Sequence, residues 1–165
     1  MSMSYEQTYS EARSKAIAHI GIAVSSSGKI RNYLSELGYG SDVIEDVISQ
    51  LIEEKYVDDH RYAMKVLRTR TGSKAEGQVK LAVRLSSNGI PDSVIADVLN
   101  QDEFQDENTI MDVITDRYPI GSFSENPSQA RRELAKAVRY LESRGYSTSL
   151  ALSSFRKLLN DVEYL

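Results

Sequence analysis

Lys29-Ile-Arg-Asn-Tyr-Leu-Ser-Glu-Leu-Gly-Tyr-Gly-Ser-Asp-Val-Ile-Glu-Asp-Val-Ile48 reappears 51 residues further on as Lys80-Leu-Ala-Val-Arg-Leu-Ser-Ser-Asn-Gly-Ile-Pro-Asp-Ser-Val-Ile-Ala-Asp-Val-Leu99. The gapless match pairs Leu34 with Leu85, Gly38 with Gly89, and Val43-Ile44 with Val94-Ile95. A more divergent copy follows after 56 more residues, carried by Leu141, Gly145, Tyr146, Leu150, Phe155 and Leu158. Self-similarity at this spacing marks a stacked-repeat architecture, so the rest of the chain is read within it.

Each copy reads as two helices meeting at the glycine. Val43, Ile44, Val47, Ile48, Leu51 and Ile52 follow the spacing of one helical face, and strict alternation, the strand signal, is absent. Gly38, Gly89 and Gly145 stand where a helix ends in the left-handed conformation that glycine adopts without steric cost. New helix starts follow. Asp42 with Glu45 suggests a capping box, Pro91-Asp92-Ser93 a rigid entry, and Ser147-Thr148 a pair of capping hydroxyls. A further helix precedes each pair, over Ser10 to Val24, His60 to Arg70 and Asn108 to Arg117; Asp102 to Asn108 and Tyr118 to Pro127 read as connecting loops. The expected fold is all-α, with three tandem three-helix repeats in an elongated, curved array. Its parts are a polar N-terminal tail at 1–9, then repeats at 10–57, 58–101 and 107–165.

The overall charge of −4 hides blocks of opposite sign. From Arg61 to Arg84 seven basic residues face one acid, Glu76; from Asp92 to Asp116 there are eight acids and no base. From Ser41 to Asp59 there are seven acids and one base, Lys55. Such a chain can turn a positive face to a polyanion and a negative face elsewhere. No apolar run approaches the roughly 20 residues that span a bilayer. The polar stretch from Met1 to Glu11 lacks the pattern of a secretory signal. Zero cysteine excludes a disulfide framework and thiolate chemistry. A cytoplasmic protein without membrane contact, acting as a monomer, is the expectation.

At 100° per residue, Arg61, Lys65 and Arg68 fall within about 60° of one another, opposite Tyr62, Ala63, Val66 and Leu67. Lys80 and Arg84 extend the basic set at i, i+4. These five residues are the candidate contacts with phosphates or with an acidic protein surface. A second cluster at Arg131, Arg132, Lys136, Arg139 and Arg144 is interleaved with Glu133 and Glu142, which reads as a self-paired, solvated helix with Tyr140 and Tyr146 at the core rim. Asp58 and Asp59 before a helix read as caps rather than catalytic or metal-binding carboxylates. His19 and His60, the two histidines, lack ligand spacing. Gly72-Ser-Lys-Ala-Glu-Gly77 has the glycine spacing of a phosphate loop, but Gln78-Val79 stand where Lys and Ser or Thr are required, so it reads as a flexible turn. Nothing here composes a nucleophile–base set. The chain reads as a binder and not an enzyme.

Glu53-Glu-Lys-Tyr-Val-Asp-Asp-His-Arg-Tyr-Ala63 resembles the most recognisable stretch of the RecX regulator family, with Asp58, Asp59, Arg61, Tyr62 and Ala63 as the motif. Gly77 before a basic helix, Asn88-Gly89-Ile90, and Tyr140-Leu-Glu-Ser-Arg-Gly-Tyr146 extend the resemblance over residues 14–160. It departs at Gly21-Ile-Ala-Val-Ser-Ser-Ser27, where the family tends to carry charged residues. The resemblance implies a slender helical protein, lodged in the groove of a recombinase–DNA filament, that restrains the ATPase, strand exchange and co-protease activity of RecA. It implies the RecA filament as partner, DNA contact through that filament, and no cofactor. A helix-turn-helix-like DNA-binding module and a helical-repeat scaffold for another protein are the alternatives.

Overall fold

The structure, a computed structural model, describes residues 3–160; residues 1–2 of the expected tail and 161–165 of the expected third repeat lie outside the described residues. The α-helices are α1 (Tyr5–Ile20), α2 (Ser27–Glu36), α3 (Ser41–Glu53), α4 (Asp59–Leu67), α5 (Gln78–Ser87), α6 (Asp92–Leu99), α7 (Asp106–Arg117), α8 (Pro127–Ser143) and α9 (Thr148–Asn160). Short 3₁₀ turns occupy Gly72–Lys74 and Asp102–Phe104. Among the described residues the extended backbone pairs only in an isolated bridge, Ser25 with Val57. The fold is all-α.

Several boundaries differ from the sequence reading. The helix expected from Ser10 starts at Tyr5, inside the expected tail, because Ser4 and Gln7 form a reciprocal capping box. It ends at Gly21, whose φ is 65°. No capping box forms at Asp42 and Glu45: α3 starts two residues earlier than such a box would place it, with Gly40 as an N-cap that makes no side-chain bond, and Glu45 binds Arg31 instead. Helix α4 stops at Leu67 rather than Arg70, and Asp106 and Glu107 join α7.

The three punctuating glycines behave alike. Gly38, Gly89 and Gly145 have φ of 85°, 75° and 95°. After each, the next residue's N–H returns to a leucine carbonyl: Tyr39 to Leu34, Ile90 to Leu85 and Tyr146 to Leu141. Each glycine N–H bonds three residues back, to Ser35, Ser86 and Glu142. This double closure satisfies carbonyls that a helix end otherwise leaves bare. The leucines themselves, Leu34, Leu85 and Leu141, are fully buried.

The chain divides into two compact units, residues 3–66 with Leu85–Val98, and Leu67–Arg84 with 99–160. The stretch read as the second repeat contributes to both. In the first unit α1, α2 and α3 pack mutually around Ala12, Ala16, Ile30, Leu34, Val47 and Leu51. In the second, α7, α8 and α9 enclose Ile110, Ile114, Ala137, Leu141, Ala151 and Phe155, with Tyr118 and Phe123 stacked beside Phe155.

Each unit contains one joint in which a helix start meets a glycine turn. In the first, Gly28 donates its N–H to Gly89 O at 3.1 Å, and Ser26 Oγ donates to Asn88 O at 2.6 Å. In the second, Gly77 donates its N–H to Arg144 O at 2.8 Å. An aspartate then caps the helix that starts there: Asp59 accepts from Ser27 N, and Asp106 from Gln78 N. Side chains are excluded at both joints. A Cβ on Gly28 would lie 2.5 Å from Gly89 Cα, and one on Gly77 would lie 2.2 Å from Gly145 O. The turn at Gly38, by contrast, has open space around it.

Alanine substitutions should therefore separate two costs. Gly38→Ala pays only for the left-handed backbone, about 1–2 kcal/mol. Gly89→Ala and Gly145→Ala add a collision with the facing chain and should lower stability further in urea unfolding; equal losses at all three would contradict the joint.

Candidate partner-binding surface

Helix α4 is positioned through the Asp58–Ala63 segment. Asp58 caps it, accepting the Arg61 N–H at 2.9 Å. Asp59 does not cap its own helix; it reaches back to the start of α2, accepting from Ser27 N at 2.8 Å and Ser27 Oγ at 2.6 Å. The Tyr62 hydroxyl accepts from Lys29 Nζ and lies 3.3 Å from Asn88 Oδ1. Ala63 is fully buried. The motif thus acts first as a clamp that ties α4 to the helix start at Ser26–Gly28 and to the turn at Asn88–Gly89.

With that side anchored, Arg61 and Lys65 stand exposed on the other. Neither forms an ion pair among the described residues. His60, exposed beside them, approaches Asp97 at 3.5 Å. Arg68, in the second unit, is likewise exposed.

Lys80 and Arg84 have a different environment. The expected flexible turn at Gly72–Gly77 ends in buried residues, Ala75, Glu76 and Gly77. The Glu76 side chain is 3% exposed and receives both Arg84 Nε at 2.8 Å and Arg84 Nη2 at 2.7 Å. Lys80 Nζ stands 3.6 Å from the same carboxylate and donates to Ser143 O at 3.0 Å. Burial alone would push the Glu76 carboxyl up, but the Arg84 hydrogen bonds and the charges of Arg84, Lys80 and Arg70 outweigh it and hold the group below its ordinary range. Two of the five candidate cations are therefore engaged in an internal ion cluster, which one-dimensional charge counting could not separate from a solvent-facing set.

The second basic cluster also departs from its sequence reading. Glu133 accepts from Ser124 N and Gln129 Nε2, and Glu142 accepts from Thr148 Oγ1. Arg144 donates to the Ala75 carbonyl. Among the described residues, Arg131, Arg132, Lys136 and Arg139 form no ion pair. Within α8 the observed pair is a hydrogen bond from a neutral amide, Gln129 to Glu133, and not the expected ion pairs. Sequence reasoning also missed Lys29, although its register with Lys80 in the repeat was a usable signal. Lys29 reaches Tyr62 on α4, and Lys80 reaches Ser143 O across the second joint.

Among the described residues no three His, Cys, Asp or Glu side chains gather as metal ligands, and no helix is long and apolar enough to cross a membrane. His19 is stacked on Tyr33, with ring centres 3.8 Å apart.

No family model matches the chain. It is 24% identical over 156 residues to a regulatory protein RecX of Streptococcus pneumoniae (serotype 19F, strain G54), covering 94% of this chain and 58% of that one. The chain thus spans under two thirds of the length of its streptococcal relatives. With the regulatory protein RecX of Prosthecochloris aestuarii it shares 26% identity over 151 residues, covering 92% of this chain and 95% of the relative. The crystal structure of RecX from Lactobacillus salivarius superposes with a TM-score of 0.70 at 22% identity, over 93% of this chain and 97% of that one. A second regulatory protein RecX structure gives 0.67 at 24% identity, over 88% and 70%. The architecture is accordingly that of an all-helical protein with the RecX fold. In sequence the chain is similar to these RecX regulatory proteins, and in fold to the solved RecX structures.

The Glu76 cluster gives an acid signature. A carboxyl held below its ordinary value of 4.5 contributes stability that is present above that pH and lost as pH falls through the folded-state value. Unfolding free energy should drop on acidification below about pH 4.5. Glu76→Gln, which removes the carboxylate charge from Arg84 and Lys80, should cost about 1.5–3 kcal/mol at neutral pH and flatten that acid slope; an unchanged slope in urea titrations across pH would remove Glu76 as its source.

Proposed function

We propose that the chain binds the RecA recombinase, or the filament RecA forms on DNA, and modulates it, chiefly by inhibiting its ATPase, strand-exchange and co-protease activities in recombination, repair and the SOS response. The observation that carries this reading is the outer side of α4. The same motif that resembles the RecX family clamps this helix and leaves Arg61 and Lys65 exposed without an acidic partner among the described residues. The similarity to proteins named RecX regulatory proteins supports it from a second side.

The mechanism is electrostatic docking, not chemistry. Arg61 and Lys65, and separately Arg68, supply unspent positive charge to an acidic recombinase surface or to the phosphates of filament-bound DNA. Lys80 and Arg84 contribute through the portions of their side chains that Glu76 leaves available, 40% and 31% exposed. The motif residues Asp58, Asp59, Tyr62 and Ala63 act as supports that hold the helix in place. No cofactor enters this scheme. The protein works in the cytoplasm as a monomer, and DNA contact is made through the filament.

The test is the ATPase rate of RecA on single-stranded DNA with and without the chain. A dose-dependent fall is expected, weakening as salt rises because exposed charges are screened. The triple reversal Arg61→Glu, Lys65→Glu, Arg68→Glu should restore most of the rate while leaving helix content unchanged by circular dichroism. Undiminished inhibition by that variant would exclude these cations as the contact, and no effect of the unmodified chain would refute the RecA reading.

A further inference from the structure

On the second unit, α8 and α9 border a shallow, widely open groove of about 450 Å³ lined by Arg131, Leu134, Ala135, Val138, Arg139 and Leu152. Its floor is aliphatic. Arg131, Ala135 and Arg139 recur at i, i+4 and i+8 along α8, so the two arginines stand about 12 Å apart along the helix axis, with the small Ala135 between them. Both are exposed, and neither has an acidic partner among the described residues. Arg139 Nε donates to the Ala135 carbonyl at 3.2 Å, a bond that steadies the guanidinium over the groove without neutralising it. Arg132 and Lys136, also exposed, continue the positive charge along the helix.

The two acids of α8 keep their charge but form no ion pair with these arginines among the described residues. Glu133 is bound to Ser124 N and Gln129, and Glu142 to Thr148.

We infer that this groove is a second docking site, independent of α4, for an acidic polypeptide segment. One apolar side chain of the segment enters between Arg131 and Arg139, and its carboxylates pair with the two guanidiniums. Charge complementarity selects an anionic partner, since guanidinium is suited to bidentate carboxylate recognition. The lining selects a polypeptide over a single-stranded nucleic acid. It contains no aromatic ring on which a base could stack, and offers instead an aliphatic slot for an aliphatic side chain.

Fluorescence anisotropy on the whole chain tests this with three labelled probes. One is a peptide of Asp and Glu around a central Leu-Leu, the second its Asn/Gln analogue, and the third a single-stranded oligonucleotide. The acidic peptide should bind at least about tenfold more tightly than its neutral analogue. Arg131→Glu with Arg139→Glu should weaken it by about tenfold or more, as should Ala135→Glu, which obstructs the groove from an exposed helical position and keeps the test valid if the double variant unfolds. Arg61→Glu with Lys65→Glu should leave the affinity for this peptide unchanged. The inference is overturned if the acidic peptide does not bind, if the α8 variants bind it undiminished, or if reversal on α4 weakens it as much as reversal on α8. It is equally overturned if the oligonucleotide is the probe that binds and the α8 variants release it.

Discussion

The close approach of two backbones, where a helix start meets a glycine turn, is the constraint on which each unit of this protein depends. At Gly28 and Gly89, and again at Gly77 and Gly145, main chain lies against main chain with no room for a Cβ. Hydrogen bonds to the turn carbonyls of Asn88, Gly89 and Arg144 close these contacts. Each needs a second element to complete it, because the approaching helix start would otherwise leave its first amides unsatisfied. Asp59 and Asp106 meet that need from the start of the following three-helix stretch. Asp106 is buried enough that desolvation raises its pKa, against the opposing bond from Gln78 N. A joint of this kind couples helices mainly through main-chain atoms, with Ser26, Asp59 and Asp106 as its side-chain members, and glycine is required only where the chains touch.

The proposed contact face is carried by a helix that one of these joints anchors. The Asp58–Ala63 segment is a structural device on one side, through Asp58, Asp59, Tyr62 and Ala63, and a charged face on the other, through Arg61 and Lys65. In the second unit Lys80 spans the joint to reach Ser143 O, and Glu76 gathers Lys80 and Arg84. A positive charge in this chain is therefore either held by an internal partner or left exposed, and only burial and partner geometry distinguish the two.

That distinction marks how far the sequence could be read. Helix class, the three left-handed glycines and the buried leucines beside them were legible, since they follow from local backbone sterics and a repeating apolar pattern. The start of α1 was not, because Ser4 and Gln7 form their capping box ahead of any strong apolar period. Asp42 and Glu45 had the spacing of a cap and did not form one, since Arg31, fourteen residues from Glu45, offered a stronger partner. Asp59 read as a cap correctly but for the wrong helix: its amide partner is Ser27, 32 residues away. In the candidate surface, exposure of Arg61 and Lys65 followed from helical phase. Capture of Arg84 by Glu76 depended on tertiary burial, and Glu133 bonds Ser124 N and Gln129 where the spacing along α8 suggested an ion pair.

A joint closed by main-chain atoms places few demands on side-chain identity. Away from the touching glycines and the side chains of Ser26, Asp59 and Asp106, an exchange of residues alters neither the main-chain donor nor the main-chain acceptor that fastens one helix to the next turn. Sequence can then drift a long way while geometry stays fixed. That gives a physical route by which this chain and the Lactobacillus salivarius protein keep a common architecture at 22% identity.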